Sequence, residues 1–407
     1  MRPRYEPAAD DVVIIDDVPL TRPSVPDPAR VAAAMEAVLR SGILTNGPRV
    51  RALEATAAEY LGVRHCVAVS SCTAGLMLVL RALDLSGDVV VPSFTFAATA
   101  HAAGWNGLRP VFADIDPTSL TLSPEAVSHA IGVRTSAILA THTYGTPCDI
   151  EGLTEIARRN GIRLIFDAAH AFGSTHQGRH IGAFGDAEVF SLSPTKVMVA
   201  AEGGIIATND ELLAERCRIG RDYGNPGDYD CLFVGLNARM SELHAVLASA
   251  SMEELDQRID RRNQLARMYV EGLGAVPGIA IPRVGDGNRS TYKDFTILVE
   301  MDTFGMDASA LAAALDDAGI ETRRYYTPPV HRMRAYRAMV GSEIRLPVTA
   351  MISERVLTIP MWSEMREQDV ERVVTAIRRI HDREMGGSAA GNLDPSSSPP
   401  TGFNSPR

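Results

Sequence analysis

Residues 65–83 read HCVAVSSCTAGLMLVLRAL, and this stretch decides the fold. HCVAVSS has the length and β-branched content of a strand that ends at Ser70. After a tight turn, Thr73 is placed to cap a helix, TAGLMLVLRAL, whose apolar residues recur three or four apart and which ends on a basic turn. Exposed N–H groups at such a helix start, together with its dipole, favour an anion such as a phosphate. By itself this is also what an ordinary capped helix looks like.

The same unit repeats outward along the chain. DVVVPSF, RPVFADI, TSAILATHTY, IRLIFDA, DAEVFSL and GGIIATN read as further short strands, separated by helix-period segments such as SPEAVSHAIG and IEGLTEIARRNG. This is the β-α-β rhythm of a mainly parallel sheet with helices on both faces, whose ligands sit beyond the C-terminal strand ends. From Ala238, ARMSELHAVLASASMEELDQRIDRRNQLARMYVEGL reads as one long connecting helical stretch, continuous or broken. Residues 279–385 then offer a strand (STYKDFTILVE), a helix (DASALAAALDDAG), a strand (IETRRYY) and a terminal helix (REQDVERVVTAIRRIHD). The expected division is an N-terminal arm at 1–26, a large domain at 27–265, a smaller α+β domain at 266–385 and a disordered Gly-, Ser- and Pro-rich tail at 386–407.

Composition bounds the function. The 407 residues carry 40 Lys plus Arg against 50 Asp plus Glu, a net charge of −10. Without clustered basic residues, no general affinity for nucleic acid or anionic membrane is expected. The 5 cysteines, Cys66, Cys72, Cys148, Cys217 and Cys231, form no C-x-x-C pair and no zinc-ligand spacing with histidine, so no metal site is expected. MRPRYEPAADDVVIIDD alternates short apolar runs with acids and lacks the apolar core of a secretory signal, and the apolar run at 66–80 falls short of the ~18 residues of a membrane span. A reduced, cytoplasmic protein is the expectation.

Two further strand ends carry chemistry. Asp167 follows the apolar RLIF and precedes AAHAFG, where an acid either caps a turn or reaches into a cleft to pair with a cation, with His170 three residues on. EVFSLSPTKVMVAAEGG places Ser191, Thr195 and Lys196 after another strand. Holding a lysine as a free amine at neutral pH costs about 4.6 kcal/mol from its usual pKa of about 10.4, and condensation with an aldehyde removes that problem. Most lysines are simply solvated. A helix-start anion site, a strand-end acid and a strand-end lysine on one parallel sheet nevertheless match the phosphate, ring nitrogen and aldehyde of pyridoxal 5′-phosphate.

The residues resemble the pyridoxal-phosphate sugar aminotransferases of the DegT/DnrJ/EryC1/StrS group, of fold type I. The resemblance covers about 26–381 and runs in order through SSCTAGL, GDVVVPSFTFAATA, PVFADIDPTSLTL, THTYGTPCDI, IFDAAHAFGS, IGAFGDAEVFSLSPTK, AEGGIIATND, GLNARMSELHAVL and ETRRYYTPPVH. It implies an α/β fold with a seven-stranded, mainly parallel large-domain sheet and a smaller C-terminal α+β domain. It also implies Lys196 as the lysine that joins the cofactor and carries the proton, Asp167 at the ring nitrogen and His170 near the ring oxygen. Cys72 (through its backbone), Thr73 and Ser191 would hold the phosphate, and Phe96 would stack on the ring. Asn237 would reach the phosphate of a neighbouring subunit, so a homodimer with shared active sites is implied. Arg239, His331, Tyr326 and Lys293 are substrate-side candidates.

The chain departs from the family pattern at three places. Cys72 stands where relatives commonly have Gly, with backbone strain as the expected consequence. Ser193 and Val197 flank the lysine where His and Asn are frequent, and YKDF replaces a Tyr-His pair. The last of these, with ETRRYYTPPVH, is most similar to the subgroup that aminates C4 of a nucleotide-linked 4-keto-6-deoxyhexose. The implied reaction moves an amino group from L-glutamate, through the pyridoxamine form, to dTDP-4-keto-6-deoxy-D-glucose. The alternatives are 3-keto-sugar or cyclitol amination and, further off, sugar 3-dehydration or a non-catalytic copy of the fold.

Overall fold

The computed structural model describes residues 17–340 and 344–390. The central sheet has seven strands, β1 (His65–Val69), β2 (Asp88–Pro92), β3 (Arg109–Ala113), β4 (Thr135–Thr141), β5 (Arg163–Asp167), β6 (Ala187–Ser191) and β7 (Gly204–Thr208), in the order β1-β7-β6-β5-β4-β2-β3. β7 alone runs against its neighbours, pairing antiparallel with both β1 and β6. The other pairings are parallel. Every residue of β2 and β7 is buried, as expected of strands covered on both faces.

Alternate residues of these strands feed two separate cores. Val90, Ile138, Phe166 and Phe190 face one, and Val89, Leu139, Ile165 and Val189 the other. The covering helices follow from local chemistry. In Ile150–Asn160, Ile150, Leu153 and Ala157 are buried at helical spacing, Asp149 caps the start by accepting from Gly152 N at 2.9 Å, and Gly161 ends it at φ 63°. The helix after β1 spans Cys72–Ala82, and its cap is Ser71, whose Oγ accepts from Ala74 N at 3.1 Å. Thr73, read from sequence as the cap, lies inside the first turn. Cys72 is absent from the residues with positive φ, so no left-handed strain arises there: as the first helical residue it needs only ordinary helical angles.

The long helical stretch is two helices, Glu242–Glu253 and Leu255–Leu273, which meet at Glu254, φ −104°. Beyond them a three-stranded antiparallel sheet is built from β8 (Ile279–Ala280), β9 (Phe295–Val299) and β10 (Val356–Ile359), covered by Ala308–Asp317 and Glu367–Ala390. IETRRYY, expected as a strand, makes only isolated bridges, Ile320 to Val18 and Arg323 to Thr358. The chain then turns into Pro328 and Pro329, which have no N–H for a ladder, and the third strand comes instead from Val356–Ile359. The core around this small sheet is separate from those of the large sheet and begins on the long helix at Leu265, while Leu255 and Ile259 of the same helix pack against the large sheet, so we propose the division inside this helix, near the expected 265/266; Val330, Tyr336 and Leu346 nevertheless pack into a large-sheet core. The terminal helix extends through residues 386–390, where the sequence reading began its tail. The rest of that tail, and residues 1–16 of the arm, lie outside the described residues. Among the described residues no helix is long and apolar enough to cross a membrane.

Candidate active site

The C-terminal ends of the parallel strands open into a cavity of about 310 Å³. One wall comes from strand ends of the large sheet: Ser71, Cys72 and Thr73 after β1, Phe96 and Ala98 after β2, Asp167 as the last residue of β5 with Ala169 and His170 after it, and Ser191 as the last residue of β6 with Ser193, Thr195 and Lys196 after it. The facing wall is Lys293, Asp294, Tyr325 and Tyr326, with Glu202 also at the lining. A larger hollow of about 610 Å³ beside Asp114, Glu125 and His129 contains none of these groups.

Asp167 is the most firmly held acid of the cavity. Its Oδ2 accepts from Thr99 Oγ1 at 2.7 Å and its Oδ1 from Ala169 N at 3.1 Å, with the Cys72 thiol 3.9 Å from Oδ1. Thr99 is in turn within 2.9 Å of Thr95 Oγ1, which reaches Thr141 Oγ1 at 3.1 Å. Burial raises the carboxyl above its usual range, although the bonds from Thr99 and Ala169 oppose the shift. A cation brought against this oxygen is therefore bound strongly.

Lys196 hangs from a turn in which its N–H donates to Ser193 O at 3.0 Å. Burial, reinforced by the Lys293 charge, pushes its ammonium down to about 8 from 10.5. Between pH 8 and 10.5 the unfolded chain holds more protons at this lysine than the folded one, so stability rises with pH across that window. Below it the lysine costs up to about 3 kcal/mol. Urea denaturation of the ligand-free protein at pH 7 and pH 10 is expected to show this gain, and Lys196→Met to remove it; identical pH slopes in the two proteins would refute the burial argument.

His170 is kept neutral, since burial and the two lysines push its imidazole well below the usual value. Its Nδ1 is buried without a hydrogen-bond partner, which marks a position for a polar ligand atom. The helix start at Cys72–Ala82 keeps first-turn N–H groups without intrahelical acceptors. Gly204 of β7 lies directly behind it, where an added Cβ would come 2.7 Å from Cys72 N. Phe96 is 64% exposed at the cavity edge, so its ring is open to a flat ligand and is no core residue.

Thus Lys196, Asp167, His170, Cys72, Thr73, Phe96, Ser191, Tyr326 and Lys293 are brought together. Asn237, Arg239 and His331 do not line the cavity. Arg239 is ion-paired with Asp222 and lies over the Tyr223 ring. His331 is buried, with Nδ1 2.6 Å from Ser93 Oγ. Asn237 is exposed and bridges Asp222 through its backbone. Sequence reasoning passed over Thr99, Asp294 and Tyr325. All three lie inside the quoted motifs SFTFAATA, YKDF and ETRRYYTPPVH, the only signal that could have found them.

The DegT/DnrJ/EryC1/StrS aminotransferase family matches residues 27–378. Among solved structures, DesI in the presence of its TDP-sugar product is 36% identical, with 94% of this chain and 97% of that one covered at a TM-score of 0.87. DesV of S. venezuelae, in complex with a ketimine intermediate, is 34% identical over 87% of this chain and 95% of its own, TM-score 0.83. A DegT DnrJ EryC1 StrS aminotransferase from Brucella abortus is 31% identical over 87% and 95%, TM-score 0.82.

Proposed function

This chain belongs to the DegT/DnrJ/EryC1/StrS aminotransferase family and is a sugar aminotransferase; on that premise we propose that it transfers an amino group from L-glutamate to C4 of a dTDP-4-keto-6-deoxyhexose, in the first place the glucose-configured sugar. Family members use pyridoxal phosphate. The residues present here fit that group: an open helix start for the phosphate, a buried carboxylate for the ring nitrogen, an unpartnered His170 Nδ1, and a lysine that has no ion pair among the described residues. When bound, pyridoxal phosphate supplies an aldehyde and an electron-withdrawing ring.

The chain's own residues do the rest. The first-turn N–H groups near Cys72 and Thr73, with Ser191, bind and orient the phosphate. Asp167 holds a proton on the ring nitrogen through a charge-assisted hydrogen bond. Lys196 Nζ, being easily deprotonated, would remove a proton from the carbon that bears the donor's amino group and would later deliver one to the acceptor carbon that had borne the keto oxygen, the oxygen having left as water. Thr99 keeps the Asp167 carboxylate in place.

What supports the C4 assignment is the resemblance of YKDF and ETRRYYTPPVH to the C4-aminating subgroup; the likeness to DesI, determined in the presence of its TDP-sugar product, over 94% of this chain supports a TDP-linked sugar as the acceptor. C3 amination is the second reading, since it and cyclitol amination would use the same cofactor residues. Incubation with dTDP-4-keto-6-deoxyglucose and glutamate, with NMR assignment of the product, separates them: nitrogen at C3 rules out the C4 reading.

We further propose a homodimer in which Asn237 serves the neighbouring cavity. It is exposed and lies outside its own, on a loop whose Tyr229, Leu232 and Val234 are 92%, 65% and 77% exposed and call for cover. Asn237→Ala is expected to weaken cofactor binding about tenfold, the value of one hydrogen bond to a charged group. Fluorescence titration of the ligand-free protein measures it, and unchanged affinity counts against the shared site.

A further inference from the structure

The wall of the cavity that faces Lys196 carries an acid to which nothing above assigns a role. Asp294 is 5% exposed and its Oδ1 accepts from Lys293 Nζ at 2.7 Å. Its Oδ2 is buried and has no hydrogen-bond partner, although the residue lines the cavity. A buried carboxylate oxygen left without a donor is costly, and a ligand that supplies one is correspondingly favoured.

The pair is fixed in place. Lys293 N donates to Tyr144 O at 3.1 Å, and the buried Arg262 donates through Nη1 to the carbonyls of Tyr292 and Lys293 at 3.0 and 3.2 Å. Arg262 Nε is in turn held by Ser363 Oγ at 2.9 Å. Lys293 Nζ also lies 5.7 Å from the centre of the Tyr325 ring. The backbone leading into Asp294 is therefore held, and its side chain is tied through Oδ1 to Lys293 Nζ.

Charge decides which substrate it meets. With one oxygen given to a lysine, the pair is neutral overall and its free valence accepts a hydrogen bond. A sugar ring offers several hydroxyl donors, whereas the carboxylates of a dicarboxylate amino donor offer only acceptors, with which the free oxygen cannot form a hydrogen bond. We propose that Asp294 is a specificity-determining residue for the keto sugar: its free oxygen accepts a hydrogen bond from a sugar hydroxyl, with Lys293 fixing its orientation. This rests on the sugar-amination reading above.

The test uses the holoenzyme and its two half-reactions, with L-glutamate and with dTDP-4-keto-6-deoxyglucose. For Asp294→Asn, kcat/KM for the sugar is expected to fall about 10- to 100-fold more than that for glutamate, chiefly through KM, as befits a lost bond to a charged acceptor. Equal losses in both half-reactions, or a sugar KM within twofold of the wild type, overturn the proposal. Wild-type enzyme with sugar analogues lacking single ring hydroxyls gives an answer even if the variant does not fold. One analogue is expected to lose the same factor, and in a folded variant to lose no more; indifference to every deletion overturns the proposal. If the wild type aminates no keto sugar at all, the functional reading falls and this inference with it.

Discussion

Lys196→Ala is expected to lower kcat by about 10⁴-fold or more, the upper range for removing a positioned proton carrier, while the protein folds at least as well as before. The two expectations share a cause. Burial and the neighbouring Lys293 push the Lys196 ammonium down to about 8, which makes the amine available as a nucleophile and base but costs the ligand-free protein stability below that pH. Removing the side chain discards both. The change should thus separate activity from stability in opposite directions, which simple damage to the fold cannot do. Lys196→Arg, which keeps a charge but offers no amine to an aldehyde, is expected to be as inactive. Steady-state rates, the visible absorbance of the bound cofactor and urea denaturation measure the three parts. More than one per cent of wild-type kcat in either variant would falsify the role given to Lys196.

The second large effect is at Asp167. Asp167→Ala is expected to cost about 10³-fold in kcat, roughly 4 kcal/mol, comparable with the loss of a preorganised charge contact in a water-poor site. The carboxylate has no substitute nearby: the groups around it, Thr99 Oγ1, Ala169 N and the Cys72 thiol, are all donors in this arrangement. Asp167→Asn keeps the shape and the bond from Thr99 but lacks the charge that keeps a proton on a ring nitrogen, so it should be nearly as slow. Thr99→Val leaves the charge and removes only its anchor, and a loss of about tenfold is expected. Full turnover in Asp167→Ala would show that the ring nitrogen needs no acid here.

Those two residues, and most of the cavity's large-sheet wall, were legible in the sequence because of how parallel sheets bury their strands. A strand covered on both faces reads as an unbroken apolar run, and the first polar residues after the run must lie at its C-terminal edge. Asp167 after RLIF is of this kind, and Lys196 follows in the polar turn SLSPTK that leaves the strand Ala187–Ser191. The facing wall obeys no such rule. IETRRYY has the composition of a strand but makes only single bridges, while Val356–Ile359 completes the small sheet. Arg239 and His331 look like ligand residues in a string of letters, yet Asp222 and Ser93 already engage them. Thr99 and Asp294 gave no signal of their own, since a threonine in the first turn of a helix and an acid beside a lysine are commonplace.

The sequence by itself therefore determined the short strands of a mainly parallel sheet, their succession along the chain and the polar residues, Asp167 and Lys196 among them, that lie at or just past their ends, because periodicity and burial are local properties of the chain. Only the tertiary structure decided which side chains are left free to act. Whether Arg239 pairs with Asp222, whether Thr99 reaches Asp167 across 2.7 Å, and whether Asp294 keeps one oxygen unpartnered depend on how segments are packed together in the fold. A polar group's chemistry depends on what its neighbours have already satisfied, and those neighbours are chosen by packing.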